Sequence, residues 1–234
     1  MSDDLPGGAI SSRPLRFYWV LDVSGSMAGE KIGQLNFAIR EALPAMRDVA
    51  QGNPHASVEV KVLEFSSGAR WLSASPIPLD DFSWSDVSAE GITDMGEALS
   101  MMAKELAIDN MPTRSLPPVV VLVTDGQPTD NFQKGLDELM AERWGQKSVR
   151  VGIAIGADAD LDVLQKFIGT TEFKPLRAVN APDLTMYIRW VSTQVLTSAS
   201  SPASQAPSDF NAEPTPMDML PPAPVPVDGA PGVW

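Results

Sequence analysis

Asp22, Ser24 and Ser26 alternate through the segment Asp22-Val23-Ser24-Gly25-Ser26, which directly follows the apolar run Phe17 to Leu21. A carboxylate and two hydroxyls so close together are hard oxygen ligands, the chemistry of a small divalent cation. Gly25 lets the backbone turn sharply enough for both serines to face one volume. Neutral hydroxyls beside a single carboxylate suit an ion that keeps water and leaves a position open for an incoming ligand. Two further segments supply oxygens. The run Val119 to Val123 closes on Thr124-Asp125-Gly126, which puts Asp125 at the same edge of a neighbouring parallel strand. Gly91-Ile92-Thr93-Asp94-Met95-Gly96 holds Thr93 in a glycine-flanked loop just before a helical pattern. Five residues, Asp22, Ser24, Ser26, Thr93 and Asp125, are therefore the candidate metal ligands, with Mg²⁺ the first choice and Mn²⁺ suited to the same set.

The elements that carry them alternate between strand and helix. Leu15 to Leu21 reads as a buried strand, and from Lys31 the positions Ile32, Leu35, Ile39, Leu43 and Met46 recur at helical spacing. Pro44 removes the bond to the carbonyl of Arg40 and is expected to kink or end that helix. Ser57 to Phe65 alternates as a strand, and Ala69 to Ile77 returns as an antiparallel edge strand closed by Pro76 and Pro78. Thr93 to Ile108 is a helix, and Val119 to Thr124 a strand. Asn131 to Glu142 is a helix capped by Asp130, and Val149 to Ile155 a strand. Helix 161–168, a short strand 176–179 and helix 182–196 complete the pattern. Right-handed crossovers then give an α/β fold, a Rossmann-like doubly wound and mostly parallel sheet with one antiparallel edge strand and helices on both faces.

Composition narrows the function classes. The 234 residues carry a formal net charge of −13, which argues against nucleic acid and anionic membrane as partners. There is no cysteine, hence neither a disulfide nor a thiolate metal site. No run reaches the length of a membrane span, and Met1 to Ile10 lack the pattern of a secretory signal, so the expected location is cytoplasmic. Residues 1–13 read as an N-terminal extension, 14–197 as the domain, and 198–234 as a Pro-, Ala- and Ser-rich acidic tail expected to be disordered on its own. Trp234 at its end is a candidate anchor for a partner.

Other chemistry-bearing residues have plainer readings. His55, the single histidine, sits in the turn-like Asn53-Pro54-His55 without a nucleophile elbow around Ser24, so no Ser–His–Asp hydrolase is expected. Asp130 reads as a helix cap. Asp94 either tunes the site or caps its own helix. Gly152 to Gly156 lacks the spacing of a dinucleotide loop, and Met95, Met101 and Met102 read as helix packing.

The Asp-x-Ser-x-Ser loop with Thr93 and Asp125 resembles the von Willebrand factor A (VWA) family over roughly residues 14–197. In that family such a set forms a metal-ion-dependent adhesion site, and the matching positions here are Asp22, Ser24, Ser26, Thr93 and Asp125. The resemblance implies the VWA fold, no enzyme activity, and a protein–protein interaction module whose Mg²⁺ captures a carboxylate of the partner. The run Thr124 to Asp130 is most similar to bacterial TerY-like proteins associated with tellurium resistance. That likeness implies a stress or metal-response system with a kinase and a phosphatase among its partners. An alternative is a structural subunit of a larger assembly, associated with an AAA-ATPase or with a kinase and phosphatase. A Mg²⁺-dependent phosphohydrolase of the haloacid-dehalogenase type, with Asp22 as nucleophile, needs a second Asp at the position of Ser24, and the serine counts against it.

Overall fold

The computed structural model describes residues 12–157, 159–200 and 220–226. Strand β1 (Arg13–Asp22) runs down the middle of a seven-stranded sheet. It pairs in parallel with β2 (Ala56–Ser66) on one side and with β5 (Val119–Thr124) on the other. Beyond β5 lie β6 (Val149–Ile155) and β7 (Leu176–Ala178), both parallel. The far edge of β2 is covered by antiparallel β3 (Gly68–Trp71) and β4 (Ile77–Pro78). The expected antiparallel edge strand is thus present in two pieces, the ladder being broken ahead of β4, where Pro76 lacks an amide proton to donate.

Alternation along β1 separates two cores. Leu15, Phe17, Trp19 and Leu21 point to one face, where α1 (Glu30–Gln51) and α6 (Ala181–Trp190) pack. Tyr18 and Val20 point to the other, under α2 (Met95–Glu105), α3 (Phe132–Ala141) and α5 (Leu161–Ile168). A short α4 (Arg143–Lys147) leads from α3 to β6, a π-helical turn Val191–Val195 continues α6, and α7 (Leu196–Ser200) follows it. Helix α1 does not end at Pro44. That proline lies on the exposed side, so the unbonded carbonyl of Arg40, also exposed, faces water. Past α7, Leu220 and Ala223 lie half-buried against the first core, and Trp234 is outside the described residues.

Helices α2 and α3 meet at backbone distance. A Cβ on Gly135 would stand 2.1 Å from the carbonyl oxygen of Gly96, and one on Gly96 would stand 2.4 Å from that of Asn131. Neither obstacle is a flexible side chain, so Gly135→Ala forces the helices apart and is expected to cost about 2–3 kcal/mol in urea unfolding. An unchanged midpoint would contradict this packing. The contact matters to the site because α2 begins two residues after Thr93.

Candidate metal site

The chain winds from β1 through α1 to β2 on one side, then returns across the sheet through α2 to β5 on the other. The direction of winding therefore reverses between β1 and β5, the crevice where open α/β sheets bind ligands at their carboxyl ends. Register puts Leu21 opposite Val123, so Asp22 and Asp125 end adjacent strands at that crevice.

Asp22 is fully buried. Its Oδ1 accepts the backbone N–H of Ser24 at 2.8 Å and its Oδ2 the hydroxyl of Thr124 at 2.5 Å. The Ser24 and Ser26 hydroxyls lie 2.9 Å apart, and Ser26 Oγ donates to Asp125 Oδ1 at 2.7 Å. Lys31, in the first turn of α1, donates from Nζ to Asp125 Oδ2 at 2.5 Å. Gly126 marks where the oxygens meet: a Cβ placed on it would stand 3.7 Å from Thr93 Oγ1, 3.8 Å from Ser26 Oγ and 4.0 Å from Asp22 Oδ2. Thr93, Ser24 and Asp125 are buried, whereas Ser26 reaches solvent. The structure thus brings all five expected residues into one crevice, with an opening on the Ser26 side. Among the described residues no three His, Cys, Asp or Glu side chains gather as a metal cluster, so any cation here must rest on two carboxylates and three hydroxyls. That donor set fits a hard ion that retains water.

Five residues outside the expected set hold it in shape. Thr124, one residue before Asp125, fixes the Asp22 carboxylate; its position opposite Asp22 follows once the two strands are aligned. Thr129 clamps the Thr93 loop, its Oγ1 accepting Thr93 N–H at 3.1 Å while its own N–H donates to the Thr93 carbonyl at 2.9 Å. Lys31 neutralises Asp125. Asp130 corrects an expectation: it does not cap α3, whose cap is Asn131, accepting the amide of Lys134 at 3.0 Å. The Asp130 carboxylate instead accepts the amides of Gly96 and Glu97, each at 2.8 Å, capping α2 from the neighbouring loop. Asp94 makes no cap of its own helix; it accepts Gly68 N–H at 2.8 Å and the Thr129 hydroxyl at 3.2 Å. The Thr93 loop is therefore pinned from both sides.

Burial pushes the Asp22 carboxyl above its ordinary range, and the nearby Asp125 charge adds to this, while hydrogen bonds from Ser24 and Thr124 oppose it. A carboxyl whose folded pKa is raised holds its proton more tightly folded than unfolded. The metal-free domain therefore gains stability from this group as pH falls through its folded pKa and loses that gain as pH rises above it. Asp22→Asn removes the buried charge and is expected to raise the thermal midpoint in chelator at neutral pH. A lowered midpoint would contradict this sign. A bound cation competes with the same proton, so its affinity rises with pH.

A doubly wound sheet with a carboxylate–hydroxyl cluster at its crevice defines a class, and the comparisons agree. The family model for the von Willebrand factor type A domain matches residues 17–127, a little under half of the chain. Solved structures share its fold. A von Willebrand factor type A protein from Catenulispora acidiphila superposes with a TM-score of 0.59 at 15% identity, covering 80% of this chain and 43% of its own. The pilus adhesin SpaC from Lactobacillus rhamnosus GG, in its open conformation, gives 0.62 at 15%, covering 80% and 30%. Proximal thread matrix protein 1 from the mussel byssus, with a zinc-occupied MIDAS motif, gives 0.57 at 15%, covering 77% and 48%. This chain spans less than half the length of these proteins. A comparison with curated proteins gives no match. Among the described residues no helix is long and apolar enough to cross a membrane.

Proposed function

We propose that the domain is a metal-dependent protein-interaction module without catalytic activity of its own, in which Asp22, Ser24, Ser26, Thr93 and Asp125 hold Mg²⁺, or Mn²⁺ on the same ligands, directly or through water. The observation that carries this reading is the convergence of Thr93, Ser26 and Asp22 oxygens on the space beside Gly126. A dication bound there supplies a positive centre with exchangeable positions facing solvent. Charge favours an anionic partner group: Asp22 and Asp125 contribute two negative charges and Lys31 one positive, so a dication leaves the site with a single excess positive charge. One carboxylate of a partner protein balances it.

Ser24 occupies the place where a phosphohydrolase would need its acid–base carboxylate. The Ser24 hydroxyl is hydrogen-bonded to Ser26 rather than poised over an open pocket, which supports the non-enzymatic reading. The zinc-occupied MIDAS motif of the mussel protein supports a divalent ion in this class of site. A stress or metal-response role in the bacterial cytoplasm, with a kinase or phosphatase partner, rests on the likeness of Thr124 to Asp130 to TerY-like proteins.

Affinity capture from the native host with wild type and Asp22→Ala/Ser24→Ala, with and without chelator, tests the function. Partners lost in both the variant and the chelated sample are expected. Partners retained in both would place recognition on another surface.

A further inference from the structure

Beside the oxygen cluster of Asp22, Ser26, Thr93 and Asp125 lies a groove of about 820 Å³. Its origin is the broken edge of the sheet. Strand β3 pairs with Leu63 to Ser66 and β4 with Glu59 and Val60, while Ser73 to Pro76 leave the ladder between them. Val62, Ile77 and Phe82 line the groove, together with Leu72, 42% exposed, and the half-buried ring of Trp84. Backbone bonds tie its head to the metal loop. Glu90 N–H donates to the Val23 carbonyl at 2.8 Å, Gly25 N–H to that of Gly91 at 3.0 Å, and Ile92 N–H to Ser67 Oγ at 3.3 Å.

The charges of the groove are not balanced internally. Of its acidic residues, Glu64 is paired with Arg70 and Asp86 with Arg40. Glu90 and Glu97 are exposed and have no ion pair among the described residues. A second carboxylate from a partner is repelled here, whereas a long cationic side chain is matched twice over. Its alkyl stem covers Leu72 and Trp84, and its charged head reaches the two free carboxylates.

We infer that the groove receives a Lys or Arg side chain from the same extended partner segment whose carboxylate is captured at the metal. The inference rests on the proposed metal reading and adds the charge pattern of the partner: one acid for the cation, one base for the groove. Recognition then requires both signs in one segment, which separates a true partner from the many acidic surfaces that offer only a carboxylate.

The test uses the full chain and synthetic peptides carrying one Asp and one Lys at varied spacing, each paired with its Lys→Gln and Asp→Asn counterparts, in the presence of Mn²⁺. Binding of Mn²⁺ alone is measured separately by calorimetry on wild type and Glu90→Gln/Glu97→Gln. At the best spacing the Lys peptide is expected to bind wild type at least about fivefold more tightly than its Lys→Gln counterpart. That advantage is expected to vanish on Glu90→Gln/Glu97→Gln, with Mn²⁺ affinity unchanged. Equal binding of Lys and Gln peptides at every spacing, an advantage that persists on the variant, or no peptide binding with Mn²⁺ bound overturns the groove assignment. Failure of wild type to bind Mn²⁺ at all instead overturns the metal reading, and this inference with it.

Discussion

Arg150→Met is expected to destabilise the domain by about 3–5 kcal/mol, the largest loss from any single side chain considered. Arg150 lies on β6 and is buried, yet no carboxylate pairs with it among the described residues. Backbone carbonyls satisfy it instead. Nε donates to Phe167 at 2.7 Å, Nη2 to Ile168 at 3.2 Å, and Nη1 to Gly145 at 2.6 Å. Nη1 also reaches the Ser148 hydroxyl at 3.2 Å. These carbonyls end α5 and the last turn of α4, where helix dipoles are negative, so the guanidinium is a shared cap for two helices. Burial lowers its pKa to about 10, which leaves it charged at neutral pH. Methionine fills much of the volume but leaves the Phe167 and Ile168 carbonyls without their donor, each costing about 1–3 kcal/mol, whereas Gly145 keeps the bonds from Ser148. Lysine keeps the charge but not the planar fork, and is expected to recover less than half of the loss. Urea unfolding of wild type, Arg150→Met and Arg150→Lys gives the three values directly. A loss under about 1 kcal/mol for methionine would mean that water or rearranged backbone serves those carbonyls equally well.

Gly126→Ala is expected to reduce divalent-cation affinity by about a hundredfold while leaving the metal-free fold within about 1 kcal/mol of wild type. The backbone of Gly126 is not in the left-handed region, and an added Cβ meets its nearest neighbours at 3.7–4.0 Å, ordinary contact distances. Those neighbours, however, are oxygens of Thr93, Ser26 and Asp22. On the proposed metal reading, a methyl group there takes up space that the waters or partner carboxylate of the cation require. Ligand deletions such as Asp22→Ala also disturb the hydrogen bonds of Ser24 and Thr124, so they mix folding with function. The alanine at 126 separates the two. Thermal unfolding in chelator checks the first half of the expectation and titration with Mn²⁺ the second; a variant that binds Mn²⁺ like wild type would move the cation away from this crevice.

How much of this was legible in the sequence depends on the range of the contact. The strands Val119 to Thr124 and Val149 to Ile155 could be read directly, because short runs rich in Val and Ile that end just before a glycine turn have few other outcomes, even with Arg150 inside the second. The five residues that meet at the crevice could be named because their types and loop positions carry the chemistry of oxygen ligands. Sequence did not tell which helix Asp130 would cap. Helical order placed it before α3, whereas the close approach of Gly96 and Gly135 brings the start of α2 within its reach instead. Arg150 was hidden for a related reason: its acceptors are main-chain carbonyls, which no residue type announces. Thr124 and Thr129 were equally silent until register and loop packing set them against Asp22 and Thr93. The break in the edge strand had a local signal in Pro76, but its consequence, a groove joined to the metal loop, needed the fold of Phe82 to Glu90 across it.

The most direct test of the metal site is calorimetric titration of the full chain with Mn²⁺, repeated in excess Mg²⁺ and on Asp22→Ala/Ser24→Ala. One ion per chain, displaced by Mg²⁺ and lost in the variant, is the result expected from oxygens gathered at the ends of β1 and β5. Binding that survives in the variant, or none to the folded wild type, would contradict it.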